Sequence, residues 1–175
     1  MAYEQKIAIP EGVKIEKQDG GKIEVSADGS SVSRVFVHPH VKYNISGSTL
    51  VVSTESKRNN DCAVVGTWAS HLNNMIKGVT SGFEYKLKIV YTHFPMNVSV
   101  NGDVVDIKNY LGGKGIMKAN ILGDTKVVVK KEDVIVSGTD KEDVGQTAAN
   151  IERACKVKGK DRRVFQDGVY LVTKE

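Results

Sequence analysis

The chain has 175 residues, 40% of them hydrophobic and 26% charged, with a formal net charge of +4. This balance describes an ordinary folded protein, and no window approaches the roughly 18 consecutive apolar residues that a membrane span requires. The first residues mix Glu and Lys among apolar positions, so no secretory leader is expected, and the expected location is cytoplasmic. Cys62 and Cys155 lie far apart and form no C-x-x-C pair, which gives no sign of a zinc knuckle or a disulfide framework.

In chain order, period-2 alternation comes first. Val13 and Ile15, Ile23 and Val25, and Val35 and Val37 alternate with polar residues, interrupted by the turn signals Gly20-Gly21 and Asp28-Gly29. Leu50-Val51-Val52-Ser53 then leads into a helical stretch over residues 60–77, where Val65, Trp68, Leu72, Met75 and Ile76 recur at steps of three and four. Gly78 is its expected stop. Alternation resumes at Tyr85, Leu87, Ile89 and Tyr91, continues through Val98 and Val100, and reappears at Val127 and Val129. Asn101-Gly102 is a strong two-residue hairpin signal, because both central positions of such a turn need positive φ. Val134-Ile135-Val136-Ser137 precedes a second helix over residues 141–156, with a Thr139-Asp140 cap before it and Gly159 after it.

The two helices share a register. Gly66 matches Gly145, Ala69 matches Ala148, Leu72 matches Ile151, and Ile76 matches Cys155, all at an offset of 79 residues. The strands before them match at an offset of 84, which puts five extra residues ahead of the first helix. A one-sided sheet and a striped helix must bury each other. The expected fold is therefore α+β, with two tandem similar domains, residues 1–80 and 81–175, each an antiparallel β-sheet packed against one α-helix. A parallel α/β sheet would need many more crossover helices than two.

Charge separates the two halves. Residues 1–80 hold nine Lys or Arg against eight Asp or Glu, whereas residues 153–163 alone hold six against one. Lys156, Lys158 and Lys160 alternate, and in extended chain they share one side, continued by Arg162, while Arg163 turns away. Lysine supplies point charge and arginine a planar fork for phosphate oxygens, so a polyanion is the expected partner. A solvated helix end is the plainer alternative, since cations also complement the helix dipole there.

A second candidate is the loop around Lys108, Asn109, Tyr110, Gly113 and Lys114, where glycines allow close backbone approach and tyrosine offers a stacking face. It is not a nucleotide-binding P-loop, which would need glycine at Lys108 and Ser or Thr at Gly115. His38 and His40 lack neighbours in sequence to complete a metal set, and His71 and His93 read as packing or surface residues. No catalytic motif is present, so neither an enzymatic activity nor a cofactor nor a small-molecule substrate is expected.

The duplicated layout, the KNYLGGKG loop and the ending DVGQTAANIERACKVKGKDRRVFQDGVYL together resemble ribosomal protein six of the large subunit, in its archaeal and eukaryotic branch. The resemblance spans essentially the whole chain. It implies a structural role in the large ribosomal subunit, with binding to large-subunit rRNA near the base of the factor-recruiting stalk, neighbouring ribosomal proteins as further partners, and most RNA contact in the second domain. The alternative from charge alone is a protein interaction module that docks an acidic partner.

Overall fold

The alternating and striped segments sort into two units, one ending at Ser81 and the other beginning at Gly82. The computed structural model describes residues 3–27, 29–92, 94–161 and 163–174. The Asp28 half of one turn signal, and His93, lie outside the described residues.

The first unit runs β1 (Tyr3–Ala8), β2 (Lys14–Gln18), β3 (Lys22–Ala27), β4 (Ser30–Val35), β5 (Val41–Ser46), β6 (Thr49–Thr54) and α1 (Asn59–Thr80). β6 is the centre of an antiparallel sheet in the order β1-β6-β5, and β2-β3-β4 forms a separate antiparallel meander. Leu50 and Val52 project from β6 into the core. There they are covered by one stripe of α1: Val65, Trp68, Ala69, Leu72, Met75 and Ile76. Trp68 meets Phe36 edge-on, with ring centroids 5.4 Å apart.

The second unit runs β7 (Phe83–Val90), β8 (Asn97–Asn101), β9 (Val104–Lys108), β10 (Met117–Asn120), β11 (Lys126–Lys130), β12 (Asp133–Gly138), α2 (Lys141–Ala154) and β13 (Gly168–Lys174). Its main sheet has the order β11-β12-β7-β13, beside the meander β10-β9-β8. Val134 and Val136 take the places of Leu50 and Val52. Val144, Ala148 and Ile151 take those of Val65, Ala69 and Leu72, and all are buried. Duplication is thus visible in strand order and burial as well as in helix register. One element breaks the symmetry: β13 pairs antiparallel with the outer side of β7. Among the described residues, β1 has no strand on the equivalent side.

The α+β reading holds, with corrections in detail. Gly78 does not stop α1; it is buried inside the helix, which runs to Thr80, and the chain turns away at Gly82, whose φ is +72°. Only glycine adopts that left-handed conformation without cost. α2 ends at Ala154, two residues short of expectation, because Lys156 N–H turns back onto the Arg153 carbonyl at 3.2 Å. Gly159 is a turn further on, with φ +68°. Asp140 does cap α2, its carboxylate accepting from the Glu142 N–H at 2.8 Å.

The β8–β9 register pairs Asn101 with Val104, so the central turn residues are Gly102 and Asp103, one place later than Asn101-Gly102. Val35 and Val37 point to solvent, and Phe36 between them is buried. The alternation there is real but in the opposite phase, because Phe36 is the residue that packs into the core, edge-on against Trp68.

Candidate nucleic-acid interface

The glycine loop leaves β9 through two non-glycine residues in left-handed backbone conformation, Asn109 (φ +60°) and Leu111 (φ +51°). Such conformations persist only where surrounding contacts impose them. Here Asn109 Nδ2 donates to the Pro95 carbonyl at 3.0 Å, Gly113 N–H donates to the Tyr110 carbonyl at 3.0 Å, and Leu111 packs on the core. Gly112 lies under the Phe94 ring, where a Cβ would stand 3.2 Å from ring carbons. The result is a shaped loop that presents Lys108, Asn109, Gly113 and Lys114 to solvent.

Tyr110 does not present the stacking face that the sequence suggested. Its ring is buried, and its hydroxyl donates to the Cys155 carbonyl at 2.7 Å. That bond takes up one of the carbonyls that a helix leaves without an intrahelical partner at its C-terminus. It also draws the two candidate segments together, tying the glycine loop to the start of the basic run.

From Cys155 onward the chain is anchored at intervals. Val157 is buried, which turns the exposed Lys156 and Lys158 outward on either side of it. Past the Gly159 turn the shared side ends: Lys160 Nζ sits 4.4 Å above the Phe165 ring, a cation–π contact. Asp161 forms a local turn, accepting from Arg163 N–H at 2.9 Å and from its guanidinium through both carboxylate oxygens. The Arg163 guanidinium holds the Asp161 carboxyl below the usual aspartate range. The single acid of the segment is therefore engaged with one of its six cations. Arg162 lies outside the described residues. The segment closes at Asp167, buried, whose Oδ1 accepts from the Thr92 N–H at 2.9 Å and so fixes the entry into β13 against the end of β7.

Two side chains of α2 tie the helix to the end of β10 and the chain just after it. Thr147 Oγ1 accepts from the Leu122 N–H at 3.0 Å, and Asn150 Nδ2 donates to the Asn120 carbonyl at 3.0 Å. Burial pushes the Cys155 thiol up to about 11. A raised folded-state value means that its stabilising effect is complete below the ordinary thiol range and is lost as pH climbs through about 11. Native protein at pH ~8 should therefore leave Cys155 unmodified by iodoacetamide, with labelling appearing on unfolding in urea. Mass spectrometry of tryptic peptides reads this directly, and rapid alkylation of Cys155 in the native protein would contradict the burial.

Sequence reasoning missed two exposed aromatic rings, Phe94 and Tyr170. Tyr170 stands two residues after Gly168 in a strand that the sequence reading left unassigned, and recognising β13 would have placed its ring on the outer face. It also missed Asp61, which long-range folding brings to 3.9 Å from His38 Nε2. Among the described residues no group of three or more His, Cys, Asp and Glu could hold a metal ion.

A duplicated sheet-and-helix pair, with a shaped glycine loop bonded to a basic segment in the second copy, defines a class of two-unit α+β proteins that carry a cationic segment beside the second helix. The profile of the family Ribosomal protein L6 matches residues 9–82 and 94–168, one match in each unit. The chain is 47% identical over 174 residues to the large ribosomal subunit protein uL6 of Methanobrevibacter smithii, covering 99% of this chain and 97% of that protein. It is 49% identical over 169 residues to the uL6 protein of Methanosarcina mazei, covering 96% and 95%. With the uL6 protein of Thermoplasma acidophilum it shares 46% over 170 residues, covering 97% and 95%. The chain belongs to the ribosomal protein L6 family.

Proposed function

We propose that this protein is a structural constituent of the large ribosomal subunit that binds large-subunit rRNA through its second domain, residues 81–175, near the base of the factor-recruiting stalk. Its setting is the cytoplasmic ribosome, with rRNA and neighbouring ribosomal proteins as partners. The observation that supports this most is the Tyr110 hydroxyl on the Cys155 carbonyl, which joins the glycine loop to the basic run. Lys108, Lys114, Lys156 and Lys158 then offer point charges from two segments of one unit, and Asn109 and Gly113 leave room for close approach of a sugar–phosphate backbone. Lys160 and Arg163 contribute from positions already held by Phe165 and Asp161. Tyr110 acts from within, by positioning. Arg162 belongs to the same proposed set on sequence alone.

Such contacts neutralise phosphates and fix position, and duplex RNA offers little base reading to them. Binding of the full chain to a large-subunit rRNA transcript should therefore weaken steeply with salt, with a log–log slope between about −3 and −6. A fluorescence titration at several salt concentrations measures it. A slope near zero, or no binding at about 50 mM salt, would remove the reading.

A further inference from the structure

Phe94 lies in the connection between β7 and β8, and that connection is pinned on both sides of it. Before it, the Thr92 N–H is held by Asp167 at 2.9 Å; after it, Met96 is buried in the core. Pro95 restricts the backbone of the residue ahead of it to extended conformations. The Pro95 carbonyl accepts from Asn109 Nδ2 at 3.0 Å, which ties the connection to the glycine loop.

The Phe94 ring lies across that loop. A Cβ on Gly112 would meet ring atoms Cε2, Cζ and Cε1 at 3.2, 3.2 and 3.3 Å. Three nearly equal distances put the Gly112 backbone against the face of the ring, since an edge-on approach would leave Cζ closer than its two neighbours. Even so, 46% of Phe94 is exposed. With one face on Gly112, the exposed area belongs mainly to the other. A held aromatic plane open on one face is a stacking platform, of the kind that unpaired bases occupy.

The surroundings select among ligands. Lys108 and Lys114 bracket the loop and are exposed, as are Asn109 and Gly113. Lys114 follows Gly112 by two residues, so its backbone lies within about 7 Å of the residue under the ring. A nucleotide meets both features, with an aromatic face for the ring and a phosphate charge for the lysines. An apolar protein surface laid over the ring would crowd the same two lysines without giving them a counter-charge. We propose that Phe94 stacks one unpaired base of the bound rRNA, with the phosphates beside that base in reach of Lys108 and Lys114. The stacking role that the sequence assigned to Tyr110 falls instead to this ring. The inference rests on the RNA-binding reading and extends it from phosphate contact to base contact.

Stacking and phosphate neutralisation differ in salt dependence, because only the second releases counterions. For the full chain on a large-subunit rRNA transcript, Phe94→Ala should weaken binding about tenfold and leave the log–log salt slope at the parent value. Phe94→Tyr should bind as the parent does. Phe94→Leu keeps apolar bulk without a ring plane and should bind as weakly as Phe94→Ala. Thermal unfolding followed by circular dichroism identifies any variant that has lost its fold, and the Leu and Tyr pair carries the test if Phe94→Ala has. Parent-like affinity in Phe94→Leu, or Phe94→Tyr as weak as Phe94→Leu, overturns the stacking and leaves the RNA reading standing. So does a flattened slope in Phe94→Ala, which would trace the loss to displaced lysines. Unchanged affinity in Phe94→Ala also overturns it and assigns the ring to a protein contact. No binding by the parent chain overturns both readings.

Discussion

Replacing Lys156, Lys158 and Lys160 together by glutamine should lower the affinity of the full chain for large-subunit rRNA about a hundredfold at about 0.15 M salt. The log–log salt slope should flatten by about 2 to 3. Each lysine that neutralises a phosphate releases close to one condensed counterion, and three such contacts account for both figures. Glutamine removes charge while keeping a polar stem, so Val157 can still anchor the segment. The loss should divide unevenly. Lys156 and Lys158 are exposed beside Val157, whereas Lys160 already lies over Phe165 and has less freedom to reach a phosphate. Lys22→Gln in the first unit provides the comparison, and if the triple substitution changes binding no more than Lys22→Gln, the segment is not the grip.

The second large effect should come from Tyr110. Tyr110→Ala removes a buried ring and should destabilise the protein by about 3–5 kcal/mol. Tyr110→Phe keeps the ring and deletes only the hydroxyl, leaving the Cys155 carbonyl without that donor at the end of α2. Its cost should be about 1–3 kcal/mol. Urea unfolding followed by circular dichroism measures both. In Tyr110→Phe the RNA affinity should fall as well, since the glycine loop is no longer tied to the basic run. A Phe variant as stable as the parent would show that the 2.7 Å bond is not used.

Much of the architecture could be read from residue patterns, because both helices carry wide apolar stripes and both packed against sheets, as their registers implied. Ala69 and Ala148, and Leu72 and Ile151, occupy equivalent buried places. The elements that escaped notice were those without a clean pattern. β1 (YEQKIA) and β5 (VKYNIS) are short, half-exposed strands at the edges of their sheet, where one buried face leaves few apolar positions to count. β13 (GVYLVTK) carries apolar residues on both faces, including the exposed Val172, so alternation did not reveal it.

Within the site, the exposure of the lysines followed from their charge. The inward turn of Tyr110 did not, since it depends on a carbonyl 45 residues away. The five extra residues ahead of α1 were legible only as a count. In the structure they divide between a longer connection after Thr54 and an earlier start of the helix at Asn59.

The basic segment is held at both ends and in between: at Cys155 by Tyr110, at Val157 by burial, at Asp161 by its own turn, and at Asp167 by Thr92. Its conformational entropy is therefore lost when the second unit folds, and little remains to be lost when a polyanion arrives. Association should then resemble docking of a finished surface rather than folding upon binding. Its heat-capacity change should be small, matching the area covered at the interface, with no added signature of a segment becoming ordered.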